Sequence, residues 1–377
     1  MNKISYRELR FLVYFLPIFA LKLMNITAEN KALVWISIVC FGIQIVGFIN
    51  EKIPKRSVAL LAVAVMFTAI LVVTCGKQGA FFSTIMILGL YKISPKRIVY
   101  KVCFWVGVAF VIVSAHIERN GGVVMRYING TWTSVYKRSN ILFISFFAVL
   151  CLYLYLQKPN KMSLFKLLII WAMGYGMYRY SGSRTGFLVL NVLVIMLFLL
   201  RNKKICNNRL VRFLCVNSPI IGFLLSYIMA FFYNRNPSLY VVNSMLQGRL
   251  ALGQRYLNTY SIKLFGQHIF EDFSPDNYWC LDCAYLDMLL CYGAIFSLIW
   301  IVLTKNVLKW LYRENRYIEV ATVVAYSVYG ISETFLPNGF LNVSIFLYAE
   351  YIMGHVLRVM REDSYDKNNS NVPATVS

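Results

Sequence analysis

Apolar stretches of about 20 residues, the length that crosses about 30 Å of bilayer hydrocarbon, recur along this whole sequence. Hydrophobic residues make up 59% of the chain and charged residues 14%. A soluble protein of 377 residues could not bury that much apolar surface in its core. The sequence therefore predicts an all-α fold, a polytopic bundle of transmembrane helices.

We expect about twelve spans in one membrane domain over residues 1–357. Their ranges are 8–26, 32–50, 58–75, 79–93, 98–116, 140–156, 164–179, 185–200, 211–233, 284–304, 317–332 and 339–357. The fourth, seventh and eleventh are short, so each could be a tilted neighbour or a re-entrant segment. The polar tail, 358–377, has too few apolar residues to fold, and we predict that it is disordered in the cytoplasm.

The distribution of lysine and arginine predicts the orientation. Most of the 38 basic residues fall in alternate loops, which the positive-inside rule assigns to the cytoplasm together with both termini. The net charge of +22 then reflects topology and attraction to anionic lipid in the plasma (inner) membrane, with no nucleic-acid partner.

Two loops are long, 117–139 and 234–283, and this topology makes both external. The larger loop joins the ninth and tenth spans. Apolar residues near the helical period within 239–260 predict an amphipathic helix there, on the outer membrane face.

Arginine outnumbers lysine in the predicted external loops, although the positive-inside rule disfavours both residues there. The planar guanidinium donates two parallel hydrogen bonds, which suits phosphate or carboxylate. The candidates are Arg126, Arg138, Arg179, Arg184, Arg249 and Arg255. For each arginine, the alternative is that its side chain reaches lipid headgroups only. "SGSRTG" and "QGRL" favour a functional role for Arg184 and Arg249, because neighbouring glycines permit close approach of a ligand.

Carboxylates and cysteines lie near the same loops. Asp276, Asp282 and Asp287 are close to the start of the tenth span, and Glu333 and Glu350 lie in or beside the last two spans. Either glutamate could pair with an outer arginine, although a proton-coupled transporter would use the same residues. "WCLDC" has CxxC spacing but no second pair that would complete a zinc site, so we expect neither metal nor cofactor.

Three segments carry a resemblance to a known family: "YSGSRTGFLVL" (180–190), "LQGRLALGQRYLNTYSIKLFGQHI" (246–269) and "DNYWCLDCAYLDMLLCYGAIFSLIW" (276–300). "KRSNILF" (137–143) is a weaker fourth segment. In this order, and with one large late external loop, the chain resembles the Wzy-like polymerases of O-antigen and capsular polysaccharide repeat units, which share a superfamily with the O-antigen ligases.

The resemblance implies a metal-independent glycosyltransferase on the outer membrane face. Such an enzyme moves the growing glycan from undecaprenyl diphosphate to the next lipid-linked repeat unit, alongside a flippase and a chain-length regulator as partners. Carried over by motif, Arg184 and Arg249 would bind the diphosphate, with Arg255 as a weaker second candidate. Asp282 and Tyr285 would orient or deprotonate the acceptor. An alternative for Asp282 is a charge that stabilises the helix N-terminus.

The remaining substrate-binding candidates are Arg179, Arg138, Arg126, His268 and Glu333. The ligases place a histidine near the start of the helix after the large loop, where "LDCAYLDMLL" has none. His268 lies earlier, so the sequence favours a polymerase but leaves the ligase open. Two further classes of membrane protein compete with the polymerase. A flippase of the same lipid-linked units would line a central cavity with charges, and a structural scaffold would not need the external arginines.

Overall fold

The computed structural model describes residues 4–23, 31–49, 55–93, 98–119, 124–128, 131–135, 139–157, 162–272 and 279–354. Within these ranges the chain is a bundle of helices, so the helical class is confirmed for the bundle. The predicted disordered tail lies outside the described residues.

The helices of the first half follow the predicted spans closely. They are α1 (Tyr6–Leu23), α2 (Lys31–Ile49), α3 (Lys55–Cys75), α4 (Gly79–Gly89), α5 (Val99–Arg119), α6 (Ser139–Tyr155), α7 (Leu164–Ser181) and α8 (Arg184–Leu199). Long, strongly apolar runs separated by polar or glycine-containing segments explain the agreement.

The helices of the second half are shorter and more often interrupted. Its helices are α9 (Lys203–Cys206), α10 (Arg209–Val216), α11 (Ser218–Phe231), α12 (Ser238–Met245), α13 (Arg249–Thr259), α14 (Ala284–Asp287), α15 (Ala294–Arg313), α16 (Tyr317–Tyr329) and α17 (Ile345–Gly354). The predicted ninth span is therefore two helices, α10 and α11, which meet at a bend of 62°. The predicted amphipathic helix over 239–260 is also two helices, α12 and α13.

Two of the described helices are long and apolar enough to cross a membrane by themselves, over Val99–His116 in α5 and over Ala294–Arg313 in α15. The bent pair α10 and α11 adds a third if it counts as one span. Several further apolar helices are 10–17 residues long. Large apolar side chains such as Val73, Trp105 and Leu298 are exposed on the outside of the bundle, as expected for a protein that lies in lipid. The number of twelve spans is not confirmed.

The core forms around α1, α6 and α16. Phe11, Phe15 and Phe19 lie one helical turn apart on α1, and neighbouring rings stack at 5.5 and 4.9 Å between centroids. Phe15 also contacts Phe340 and Phe346, which precede or belong to α17. Aromatic packing therefore fixes the first helix against the last part of the described chain.

A β-hairpin lies in the shorter of the two long loops. The sequence predicts only helices, so this hairpin is a difference from the predicted all-α fold. Strand β1 (Val124–Ile128) pairs antiparallel with β2 (Thr131–Val135), and Arg126 is opposite Thr133. The strands contain β-branched and aromatic residues, and the sequence between them is Asn-Gly, a dipeptide typical of hairpin turns. That local signal accounts for the strands.

The large loop returns to the bundle and joins a broken helix. The predicted tenth span is interrupted between α14 and α15 at Gly293, where φ is +94°, a conformation that favours glycine. The Ala294 N–H donates to the Lys263 carbonyl at 2.9 Å, and the Gln267 N–H donates to the Cys291 carbonyl at 2.9 Å. Loop residues therefore satisfy backbone groups that the interrupted helix would otherwise leave unpaired.

Candidate functional site

Three of the predicted site residues meet at one end of the bundle. Arg249 Nη2 lies 2.9 Å from Glu333 Oε1 and 3.9 Å from Asp282 Oδ2. Asn140 Nδ2 donates to the same Glu333 oxygen at 3.0 Å, and Thr185 Oγ1 lies 3.5 Å from it. We call Arg249, Asp282, Glu333, Asn140 and Thr185 the arginine cluster. It brings together the starts of α6, α8 and α13 and the segments next to α14 and α16.

A tight turn between α12 and α13 positions Arg249. Gly248 has φ +86° and immediately precedes Arg249, the first residue of α13. Asn243 in α12 caps that helix from a distance, because its Oδ1 accepts from the N–H groups of Leu250 and Ala251 at 3.0 and 3.1 Å. The backbone that positions the Arg249 guanidinium is therefore fixed by hydrogen bonds from α13 to Asn243.

Arg249 is buried, with only 6% of its surface exposed. Its Nη1 donates to the Leu246 carbonyl and to Gln247 Oε1, at 3.2 and 3.3 Å. Its Nε is buried without an acceptor among the described residues. A buried cation needs a carboxylate nearby, and Glu333 supplies it. The confirmed contact is the pair of Glu333 with an arginine of the large loop; direct diphosphate binding by Arg249 stays a prediction.

Backbone contacts hold the two carboxylates near each other. The Ala284 N–H donates to the Gly330 carbonyl at 2.8 Å, which ties the segment after Asp282 to the turn before Glu333. Asp282 accepts a hydrogen bond from Cys280 Sγ at 3.3 Å. The Asp282 side chain keeps 23% exposure, against 10% for Glu333. Asp282 is therefore the carboxylate of the cluster that solvent or a ligand can reach.

The turn between α7 and α8 lies beside the cluster, as the small residues of "SGS" predict. Gly182 ends α7 with φ +73°, and the Ser183 side chain caps α8 by accepting from the Gly186 N–H at 3.3 Å. Arg179 and Arg184 flank this turn, and both are exposed. Neither forms an ion pair with a described carboxylate, in contrast to Arg249.

A second charged cluster was not predicted. Lys77, in the short connection between α3 and α4, lies 2.6 Å from Asp287 Oδ1 and 3.1 Å from Glu271 Oε1. Burial alone would lower the pKa of Lys77, but the two carboxylates outweigh it and raise that pKa well above its usual value. Lys77 therefore stays charged and fixes the large loop, through Glu271, to the start of the interrupted helix.

The other predicted residues lie outside the arginine cluster. The Arg255 guanidinium stacks on the Trp279 ring at 3.5 Å. His268 is exposed and faces Gly76, beside Lys77. The side chain of Arg126 and the whole of Arg138 lie outside the described residues.

The role predicted for Tyr285 does not fit its position. Tyr285 is 1% exposed, and its hydroxyl donates to the Ser327 carbonyl at 2.8 Å. The ring packs against Gly222, where even one added methyl group would meet it at 2.7 Å. Tyr285 is thus a packing residue between helices, and its hydroxyl is not free to orient an acceptor.

Glu350 pairs at the opposite end of the bundle. It accepts from Arg316 Nη1 and from the Tyr100 hydroxyl, so its partner is not an arginine of the two long loops. The cysteines of the CxxC sequence are both buried, with Cys283 Sγ 3.7 Å from the Gly330 carbonyl. Among the described residues, His, Cys, Asp and Glu form no group of three or more that could hold a metal ion.

Compared with models of known protein families, with curated proteins and with solved structures, the chain matches none. The geometry itself limits the chemistry. A buried arginine paired with one carboxylate, a second carboxylate within reach of solvent and two exposed arginines can bind an anionic group beside a proton acceptor.

Proposed function

We propose that this protein polymerises lipid-linked oligosaccharide repeat units on the outer face of the plasma membrane. It transfers the growing glycan from undecaprenyl diphosphate to the next lipid-linked unit, for a capsule or O-antigen type of polysaccharide. The proposal includes the twelve-span topology with cytoplasmic termini, the external position of residues 234–283, and the flippase and chain-length regulator as partners.

Contacts at the two ends of the bundle support the alternating topology. Lys77, Asn140, Thr185, Arg249 and Glu333 come from loops or helix ends that the topology makes external, and all of them lie in the two charged clusters. The opposite end joins segments that the topology makes cytoplasmic, in the network of Arg316, Glu350 and Tyr100.

The single observation that carries the proposed reaction is a buried arginine, Arg249, whose Nη2 lies 3.9 Å from Asp282, a carboxylate that solvent can reach. Arg184 and Arg179 are exposed beside the cluster and would neutralise the diphosphate as it leaves. Asp282 would accept the proton of the acceptor hydroxyl. The hydroxyl oxygen then bonds to the anomeric carbon while the bond from that carbon to the phosphate oxygen breaks, and undecaprenyl diphosphate leaves with the electron pair.

Arg249 has two roles in this scheme. Its pair with Glu333 holds the guanidinium in place, and the same terminal nitrogen, 3.9 Å from Asp282 Oδ2, orients that second carboxylate. Loss of Arg249 should therefore affect both the diphosphate pocket and the proton acceptor.

The test is an assay of the purified protein on a lipid-linked repeat unit, read as chain length on a gel. Arg184→Ala and Arg249→Ala should each lower polymerisation strongly, since removing one donor to a developing anion costs about 100-fold or more in rate. Arg235→Ala is the matched control, because Arg235 is exposed in the same large loop and stacks on Phe231. Long chains from both site variants would refute the site assignment.

A gene deletion separates polymerisation from flipping. Loss of the polymerase leaves single repeat units on the cell surface. Loss of a flippase leaves no surface material and an accumulation of lipid-linked units in the cytoplasm, and that result would contradict the proposed function.

A further inference from the structure

A basic groove lies between α10 and α15, at the end of α15 that is far from the arginine cluster. Its volume is about 590 Å³. Five cationic side chains line it: Arg209, Arg212, Lys305, Lys309 and Arg313. Among the described residues that line the groove, there is no carboxylate.

The positive charges of this groove are spaced so that they repel. Lys305, Lys309 and Arg313 are four residues apart on α15 and so lie on one helix face, where like charges one turn apart are destabilising. Arg212 rests over the Tyr312 ring at 5.9 Å. Within the described part of the chain, none of the five cations has an ion pair with a carboxylate. An anion in the groove would remove this repulsion.

The groove also has an apolar side. Phe213 and Val216 of α10 line it. Leu210 and Phe213 are exposed by 64% and 61%, although α10 also carries the two arginines. Because α10 bends by 62° away from α11, it has the geometry of an amphipathic helix at the membrane surface. A ligand that fits has an anionic headgroup joined to hydrocarbon.

We propose that this groove binds an anionic glycerophospholipid, with its headgroup phosphate among the α15 cations and its acyl chains along Phe213 and Val216. The site is separate from the arginine cluster, so it does not depend on the proposed polymerase reaction. Charge complementarity and the apolar rim favour phospholipid over a soluble anion. The bound lipid would hold α10 and α15 together and fix the bend between α10 and α11.

The experiment measures lipid binding to the full chain in detergent by native mass spectrometry, with dioleoylphosphatidylglycerol and dioleoylphosphatidylcholine as probes. Lys305→Gln/Lys309→Gln should weaken phosphatidylglycerol binding about tenfold, since each basic residue near an anionic lipid contributes appreciably. Phosphatidylcholine binding should not change, which also shows that the variant is folded. Lys305→Arg/Lys309→Arg should retain the wild-type preference.

The matched control is Lys101→Gln/Lys204→Gln. Both lysines are exposed outside the groove, and Lys101 adjoins Tyr100 in the network at the same end of the bundle. Equal losses in the two pairs of variants would overturn the proposal, because they would indicate a general charge effect. A binding site for soluble anions would be indicated instead if glycerol 3-phosphate displaced the lipid at equal concentration.

The acidic part of the chain's own tail is the competing occupant. Glu362→Gln/Asp363→Asn in the full chain should leave phosphatidylglycerol binding unchanged if lipid is the normal ligand. A gain of about tenfold would show that the tail fills the groove and would overturn the lipid assignment.

Discussion

Neutralising Glu333 tests whether a buried charge pair holds Arg249. Arg249 is 6% exposed, and its contact with Glu333 is 2.9 Å. Removing one partner of a buried ion pair costs about 3–5 kcal/mol, because the other charge remains in a medium that solvates it poorly. Asp282 at 3.9 Å offsets part of that cost. For Glu333→Gln we therefore expect the low end of the range, about 3 kcal/mol.

The assay is thermal unfolding of the purified protein in one detergent. A chain of this size loses roughly 2 °C per kcal/mol, so Glu333→Gln should lower the apparent Tm by about 6 °C. The matched control is Glu314→Gln, because Glu314 is exposed and forms no ion pair with another described residue. That control should shift the Tm by less than about 1 °C.

A double variant gives the decisive comparison. Arg249→Met/Glu333→Gln removes both charges of the pair, and Asn140 and Thr185 can still donate to the glutamine oxygen. The effects of substitutions at contacting residues on stability do not add, so the double variant should be more stable than the sum of the two single losses predicts. It should still fail to polymerise, since its arginine is gone. Additive losses of Tm would refute the buried-pair reasoning.

Three further predictions concern other parts of the same end. Arg184→Ala should leave the free energy of unfolding within about 0.5 kcal/mol of wild type while chain length falls, measured by thermal unfolding and gel assay; a large loss of Tm would contradict its exposed position. Lys77→Met should cost about 3 kcal/mol because Asp287 is left buried and unpaired, and an unchanged Tm would refute that ion pair. Because the pKa of Lys77 is raised in the folded protein, the stability that charged Lys77 contributes is fully present below the pKa of a lysine in the unfolded chain. It is lost only as the pH rises through the pKa of Lys77 in the folded protein. The Lys77-dependent difference in Tm should thus persist up to about pH 10. Gly248→Ala should lower the free energy of unfolding by about 1 kcal/mol, because alanine is strained at the φ of +86° that Gly248 adopts. An alanine variant that is more stable than wild type in the same unfolding assay would contradict this reasoning.

The helix ends near the candidate site were predictable from local sequence. The sequence places a span over 164–179 and another from 185, and the helices end at Ser181 and begin again at Arg184. Gly182 and Ser183 between them supply the C-terminal and N-terminal caps, which are short-range signals. The pairing of Glu333 with an arginine of the large loop was also open to prediction, because a carboxylate at a span end needs a partner.

The break at Gly293 and the Lys77 cluster depend on contacts that sequence spacing does not reveal. "MLLCYGAIF" is continuously apolar, and its interruption depends on carbonyls and N–H groups of the loop near Lys263 and Gln267. Lys77 is 194 residues from Glu271 and 210 from Asp287 along the chain. Tyr285 was misread because an acidic, tyrosine-containing segment resembles a site, whereas close packing on Gly222 decided the side chain's position.

The joint between the large loop and the interrupted helix has a practical consequence for mapping which side of the membrane each segment faces. Residues 263–267 supply backbone partners to 291–295, so a reporter inserted there would disturb the helix as well as the loop. The exposed turn at Asn236 and Pro237 precedes α12 and lacks such ties to α15. A cysteine for labelling, or a short epitope, belongs at that turn, where it reports the location of the loop without changing the fold it is meant to locate.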